Sequence, residues 1–281
     1  MKIYRKGREA YIEDGNDWYR VVPEDWDRWI NRKGLHAAIR SELTESIKLI
    51  ESPFTETEDL DAPASGQEIW AAGVTYFRSR EARMEESKDA GGGSFYDKVY
   101  HAERPELFFK AVPYRCSGHG GEVRIRRDSN WNVPEPELTL FMCSEGSIEG
   151  YTIGNDMSSR SIEGENPLYL PQAKSYDKSA SLGPCLYVSS EGIDPHALIS
   201  IRISRHGNEV FSNSISIDQM KRQHTELAGF LFRECSFPHG VFLMTGTGIV
   251  PPDHFTLDEG DVVEITIEHI GKLRNTVKYK P

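Results

Sequence analysis

Hydrophobic and polar positions along the chain fall into two textures that change near residue 65. In the first, polar and apolar residues alternate over 9–12 and 18–22, the two-residue period of strands. Asp25 stands at a helix N-cap position ahead of Trp26, Trp29 and Ile30. After Gly34 an apolar stripe through Leu35, Ile39, Leu43, Ile47, Leu49 and Ile50 predicts one amphipathic helix. Acidic residues, two prolines and a glycine fill 51–66 and predict a linker. This divides the chain into a small α+β N-terminal domain, residues 1–62, and a main domain, residues 63–281. In the second texture, short strand-like runs recur at 69–74, 106–112, 138–142, 185–188, 198–204, 240–244 and 261–267. Loops of Gly, Pro, Asn and Asp separate them, which predicts a mainly β, α+β fold closed on itself as a sandwich or roll. Residues 78–88 break the pattern. They are dense in charge, compatible with a helix, and run into Gly91-Gly92-Gly93, so they read equally as a flap over a site or as a solvated helix and loop.

Composition narrows the partners. The chain has 33 basic and 44 acidic residues, a net charge of −11. Such an excess opposes phosphate backbones and anionic lipid surfaces, so no nucleic-acid or membrane partner is expected. No apolar run approaches the roughly 20 residues of a spanning helix, and no apolar stretch follows the charged start, so no signal peptide is expected. Cys116, Cys143, Cys185 and Cys235 lack CxxC spacing and read as reduced thiols of a cytoplasmic protein.

The chemistry concentrates in three places. In Val133-Pro-Glu-Pro-Glu-Leu-Thr-Leu140, Glu135 and Glu137 share a strand face, and Pro134 and Pro136 place that end at an edge or bulge. Paired carboxylates repel, and a hard divalent cation with oxygen ligands would compensate them. Solvent exposure is the commoner fate of such a pair. Asp156 lies in Gly150-Tyr-Thr-Ile-Gly-Asn-Asp-Met-Ser-Ser-Arg160, where a carboxylate could equally cap a helix. Lys174 sits among small and apolar neighbours, where burial would lower its pKa, although a loop lysine is ordinarily exposed.

The ordered set of these motifs, with Leu182-Gly-Pro184, Thr245-Gly-Thr247 and the pattern over 260–275, resembles the fumarylacetoacetate hydrolase family over roughly residues 67 to 281. The resemblance implies a mixed β-sandwich roll, a divalent metal (usually Mg²⁺, with Mn²⁺ or Ca²⁺ as substitutes) held by Glu135, Glu137 and Asp156, and a homodimer or homotetramer. Hydrolases of the family carry a histidine and a glutamate where this chain has Ser79 and Ala82. Serine cannot replace imidazole as a base near neutral pH.

Arg104-Pro-Glu-Leu-Phe-Phe-Lys110, with Glu106, Phe108 and Lys110 on one face, is similar instead to the branch containing 2-keto-3-deoxy-D-arabinonate dehydratase. That likeness implies Mg²⁺-dependent loss of water from a 2-keto-3-deoxy sugar acid to give 2,5-dioxopentanoate. Glu106 and Lys174 are the implied acid/base pair, and the expected partner is a small 2-keto acid. Ser79, Arg80, Glu163 and Thr247 are expected to contact it. Three readings compete. One is a hydrolase of acylpyruvates or 2,4-diketo-3-deoxy sugar acids using His101 or His119. Another is a dehydratase of the L-pentonate or a hexonate, and the third is a silent binding protein.

Overall fold

The protein is described by a computed structural model covering residues 1–55, 58–79 and 93–281. Among these residues one large sheet takes β1 (Lys2–Lys6), β2 (Glu9–Asp14), β3 (Asp17–Val21), β4 (Ile47–Leu49), β5 (Glu68–Gly73), β6 (Glu106–Ala111) and β7 (Cys116–Ser117). It also takes β10 (Pro136–Met142), β11 (Ile148–Asp156), β13 (Ala180–Tyr187) and β16 (Val241–Met244). A second sheet holds β8 (Glu122–Ile125), β14 (Leu198–Arg205), β15 (Asn208–Ser216), β17 (Val262–Ile267) and β18 (Gly271–Tyr279). The short β9 (Asn132–Val133) and β12 (Ser158–Ser159) pair with each other.

The large sheet runs β4-β3-β2-β1-β13-β11-β10-β16-β5-β6, with β7 beside β13. Its centre is covered on both faces, which is why β10 is buried along its whole length. On one face Leu138, Leu140 and Met142 pack on Ile199, Ile201, Ile203, Val263 and Ile265 of the second sheet. On the other, Phe141 and Phe242 meet Ile30, Leu35 and Ile39 of α1 (Trp26–Ile30) and α2 (Leu35–Glu42). This is the expected mixed β-sandwich, with helices closing the second face.

Two expectations change in detail. The stripe over 35–50 forms a helix only to Glu42; a 3-10 turn follows, and Ile47–Leu49 becomes β4 beside β3. Ser41, Thr44 and Ser46 each donate a hydroxyl to a backbone carbonyl three or four residues back. Such bonds compete with the helical ladder, and the open edge of β3 receives the freed segment. Ile50 is consequently fully exposed.

The stretch expected as a linker is fastened to the body where it is described. Arg5 donates to Ala62 O and Ala64 O, Trp26 Nε1 to Pro63 O at 2.7 Å, and Leu60 N to His119 O. Strands β1 to β4 continue the large sheet, since β1 pairs with β13 through Lys2↔Tyr187 and Ile3↔Leu186. Asp25 caps α1 as expected, accepting from Arg28 N at 2.9 Å.

Candidate active site and metal centre

Antiparallel register builds the site. Glu137 lies opposite Gly154, and one step beyond the ladder Glu135 and Asp156 exchange backbone hydrogen bonds of 3.2 and 2.9 Å. The two-residue period then sets Glu135, Glu137 and Asp156 on one face of β10 and β11. All three are buried, with one carboxylate oxygen of each within 4.8 Å of the others. At this end Pro136 and Glu137 have only β11 as ladder neighbour, because β16 pairs from Thr139 onward. There the chain turns through Thr245-Gly246-Thr247, and Gly246 N donates to Glu137 Oε2 at 2.6 Å. Gly246 has φ of 95°, and a Cβ there would overlap Thr75 Oγ1, which donates to Thr245 O at 2.7 Å.

Three buried carboxylates demand positive charge. Burial, then the charges of Asp156 and Glu135, hold the Glu137 carboxyl well above the usual carboxylate range. Lys174 ends α5 (Leu170–Lys174), and its Nζ donates to Glu135 Oε2 and Ser158 Oγ at 2.5 Å and to Asp156 Oδ2 at 3.2 Å. Arg160 opens α4 (Arg160–Glu165) and donates from Nη2 to Glu135 Oε1 at 2.6 Å. Glu163 lies behind both, 3.5 Å from Lys174 Nζ and 3.7 Å from Arg160 Nε. Lys110 reaches Asp156 Oδ1 from the opposite side at 2.6 Å. Its burial lowers its pKa, opposed by the Asp156 charge.

An oxygen-only donor set of three clustered carboxylates, with their repulsion incompletely relieved, fits Mg²⁺, and Mn²⁺ or Ca²⁺ equally in donor type. Glu135, Glu137 and Asp156 are the residues that would hold it.

The remaining expected residues divide. Glu106 starts β6 opposite Gly73, and a Cβ on Gly73 would overlap its carboxylate. Gly73 lines the cavity over the triad with Val74, Phe108, Ser79 and Thr247. Val74 holds φ of 55°, a strained value for a β-branched residue. The Ser79 hydroxyl bonds Tyr76 O at 2.8 Å, and Thr247 Oγ1 bonds Ile249 O at 3.2 Å, so each lines the cavity while holding its own turn. Neither Glu163 nor Glu106 itself is among the residues that line it; Glu106 lies behind Gly73. Arg80, Arg83 and most of the expected flap lie outside the described residues. Asp156 ends β11 and caps no helix. His101, which ends α3 (Gly93–His101), is exposed beside Asp97, and His119 Nδ1 donates to Lys272 O at 2.8 Å; neither lines the cavity.

The family described as Fumarylacetoacetate (FAA) hydrolase C-terminal matches residues 69–278, most of the chain. The chain belongs to the fumarylacetoacetate hydrolase family. The chain is similar to a probable 2-keto-3-deoxyxylonate dehydratase of Haloferax volcanii, 46% identical over 85% of this chain and 81% of that one. It is also similar to the 2-dehydro-3-deoxy-D-arabinonate dehydratase of Saccharolobus solfataricus, 44% identical over 79% and 74%. A solved 2-keto-3-deoxy-D-arabinonate dehydratase complexed with magnesium and 2,5-dioxopentanoate superposes with a TM-score of 0.82. It is 34% identical, covering 99% of this chain and 98% of that one.

Within this family fold, sequence reasoning assigned no role to Lys110, Ser158 or Arg160, although all three stand at the triad. Arg160 and Ser158 were visible in the quoted motif. Lys110 shares the strand face of Glu106 and Phe108, but nothing in an isolated lysine announces complete burial.

Proposed function

We propose that the chain is a divalent-metal-dependent dehydratase that converts a 2-keto-3-deoxy-D-pentonate to 2,5-dioxopentanoate and water. The observation that carries this reading is the buried Glu135, Glu137, Asp156 triad, with Glu106 set across Gly73 and no histidine lining the cavity among the described residues. Residues 80–92 contain no histidine either, so water activation by imidazole, which the hydrolase reading needs, has no candidate there. The two relatives' names converge chemically in the D series. Once C2 is a ketone and C3 a methylene, the D-arabinonate and D-xylonate skeletons keep one stereocentre, C4, and are the same compound.

When bound, the cation supplies Lewis-acid polarisation of the 2-keto acid and acidifies C3. The chain's own residues do the rest. Glu106 removes a C3 proton, and the C4 hydroxyl leaves as water with a proton returned from the Glu106 carboxyl. A proton shift from C5 to C3 turns the resulting enone into the C4=C5 enol, and transfer of the enol O–H proton to C4 gives the aldehyde, so one water is lost and no redox partner is needed. Lys174, with its N–H groups committed to Glu135, Ser158 and Asp156, acts as fixed positive charge beside the developing enolate. Phe108, its ring centroid 5.8 Å from Lys174 Nζ, keeps water from that side. Ser79, Thr247 and Arg80 bind the substrate's hydroxyl and carboxylate groups, and Glu163 tunes Lys174 and Arg160.

The finer assignments follow the same chemistry. Buried, unpaired Cys116, Cys143 and Cys185 suit a reducing cytoplasm. Exposed Leu168 and Tyr169, just ahead of α5, favour a homodimer or homotetramer. The test is a coupled assay in which an NAD(P)-linked aldehyde dehydrogenase reports the semialdehyde. Turnover is expected with Mg²⁺ and the D-configured C4 epimer, and none with EDTA; equal turnover of a hexonate or of the L epimer would overturn the substrate assignment.

A further inference from the structure

The proposed reaction gives Lys110 no task, although it stands at the triad. It is a fully buried lysine in β6, at the edge of the large sheet. Its Nζ lies 2.6 Å from Asp156 Oδ1, donates to Met157 O at 2.9 Å, and donates to Lys174 O. Two N–H groups thus bond carbonyl oxygens, and the charge pairs with a third acceptor, Asp156 Oδ1. Two of those acceptors are backbone carbonyls, and they belong to the two segments that carry the chemistry: the end of β11, which presents Asp156, and the last turn of α5, which presents Lys174. A buried ammonium is costly unless it is paired and hydrogen-bonded throughout, and here every bond it makes ties one functional segment to the other.

We infer that Lys110 is the positioning residue that sets the metal-binding geometry of Asp156 and its register with Lys174, by clamping Asp156 Oδ1, Met157 O and Lys174 O on a single ammonium. Lys110 is fully buried with its Nζ turned to these three groups, so it acts through Asp156 and Lys174 and touches no substrate. With Oδ1 held, Asp156 keeps Oδ2 beside Lys174 Nζ, which also bonds Glu135 Oε2. Outer partners of this kind orient a ligating carboxylate, and their loss commonly costs about 10- to 100-fold in metal affinity. An apolar side chain supplies no donor. Arginine offers a planar fork in place of three diverging donors, so its extra charge does not restore the geometry.

The inference rests on the reading of Glu135, Glu137 and Asp156 as metal ligands, and the experiment separates the two. Mn²⁺ binding to the full chain is measured by electron paramagnetic resonance without substrate, for wild type, Lys110→Met and Lys110→Gln. Gln keeps amide donors for the two carbonyls but no charge for Asp156. Melting in EDTA is followed in parallel. Wild type is expected to bind one Mn²⁺ per chain, and both variants to bind it about 10- to 100-fold more weakly while remaining folded in EDTA. At saturating Mg²⁺ they are expected to lose kcat more than KM. A folded variant with wild-type Mn²⁺ affinity overturns the positioning role but leaves the metal site intact. If both variants lose the fold, Lys110 is structural and the role is also overturned. Failure of wild type to bind Mn²⁺ overturns the metal-site reading, and the Lys110 role with it.

Discussion

Gly73 and Glu106 face each other across β5 and β6, and the absence of a side chain at one is what lets the carboxylate of the other lie there. A Gly73→Ala substitution should therefore displace the Glu106 carboxylate and lower kcat about 100-fold, the usual cost of an ångström of misplacement. Metal affinity should stay unchanged, and steady-state kinetics beside Mn²⁺ binding reads both. Glu106→Gln should lose about 10²- to 10⁴-fold in turnover, again with Mn²⁺ retained; wild-type turnover would remove Glu106 from the mechanism. At this scale spacing shows which residues share a face and leaves their chemistry open. A period of two puts Glu135 and Glu137 on one strand face, but their reading as metal ligands with Asp156 comes from the family resemblance. Neither discloses Lys110, because its role arises only when β11 and α5, both distant in sequence, converge on its Nζ.

The triad belongs to a pair of strands, and their shared burial makes it sensitive to pH. Glu137 is held above the usual carboxylate range by burial and by Asp156 and Glu135. In the metal-free protein a carboxyl with a raised pKa binds its proton more tightly when folded than when unfolded. It therefore contributes stability that is present below its unfolded pKa and lost as pH rises through the folded one. A divalent cation needs the ionised form, so its binding strengthens over the same interval. The rise in Tm on adding Mg²⁺ should thus grow from pH 5 to pH 8 in differential scanning fluorimetry, and a pH-independent rise would contradict the buried triad. Elements as units were legible where alternation or a cap marks them, as in α1 and β14. The helix expected over 35–50 was not. Its apolar spacing suits a helix throughout, but the hydroxyls of Ser41, Thr44 and Ser46 bond back to the backbone and β3 offers an open edge.

Across the whole molecule, the first 49 residues share both a sheet and a core with the family fold: Ile3 and Ile12 pack in one cluster with Phe141, Leu186 and Phe242. Ile3→Ala should cost about 2–5 kcal/mol, and chemical denaturation should still show one transition; a separate early transition would mark the N-terminal region as an independent unit. Pairing of β1 with β13 was invisible in the sequence, because nothing local to residues 2–6 names a partner almost two hundred residues away. The net charge of −11 was legible but uninformative about the ligand, since the acidic residues that matter form a buried cluster able to hold a cation. The reaction proposed for the protein is elimination of water with the carbon chain left intact. Nuclear magnetic resonance of the product from 2-keto-3-deoxy-D-pentonate and Mg²⁺ tests it most directly. 2,5-Dioxopentanoate is expected as the sole carbon product, and pyruvate with a two-carbon aldehyde would contradict the elimination.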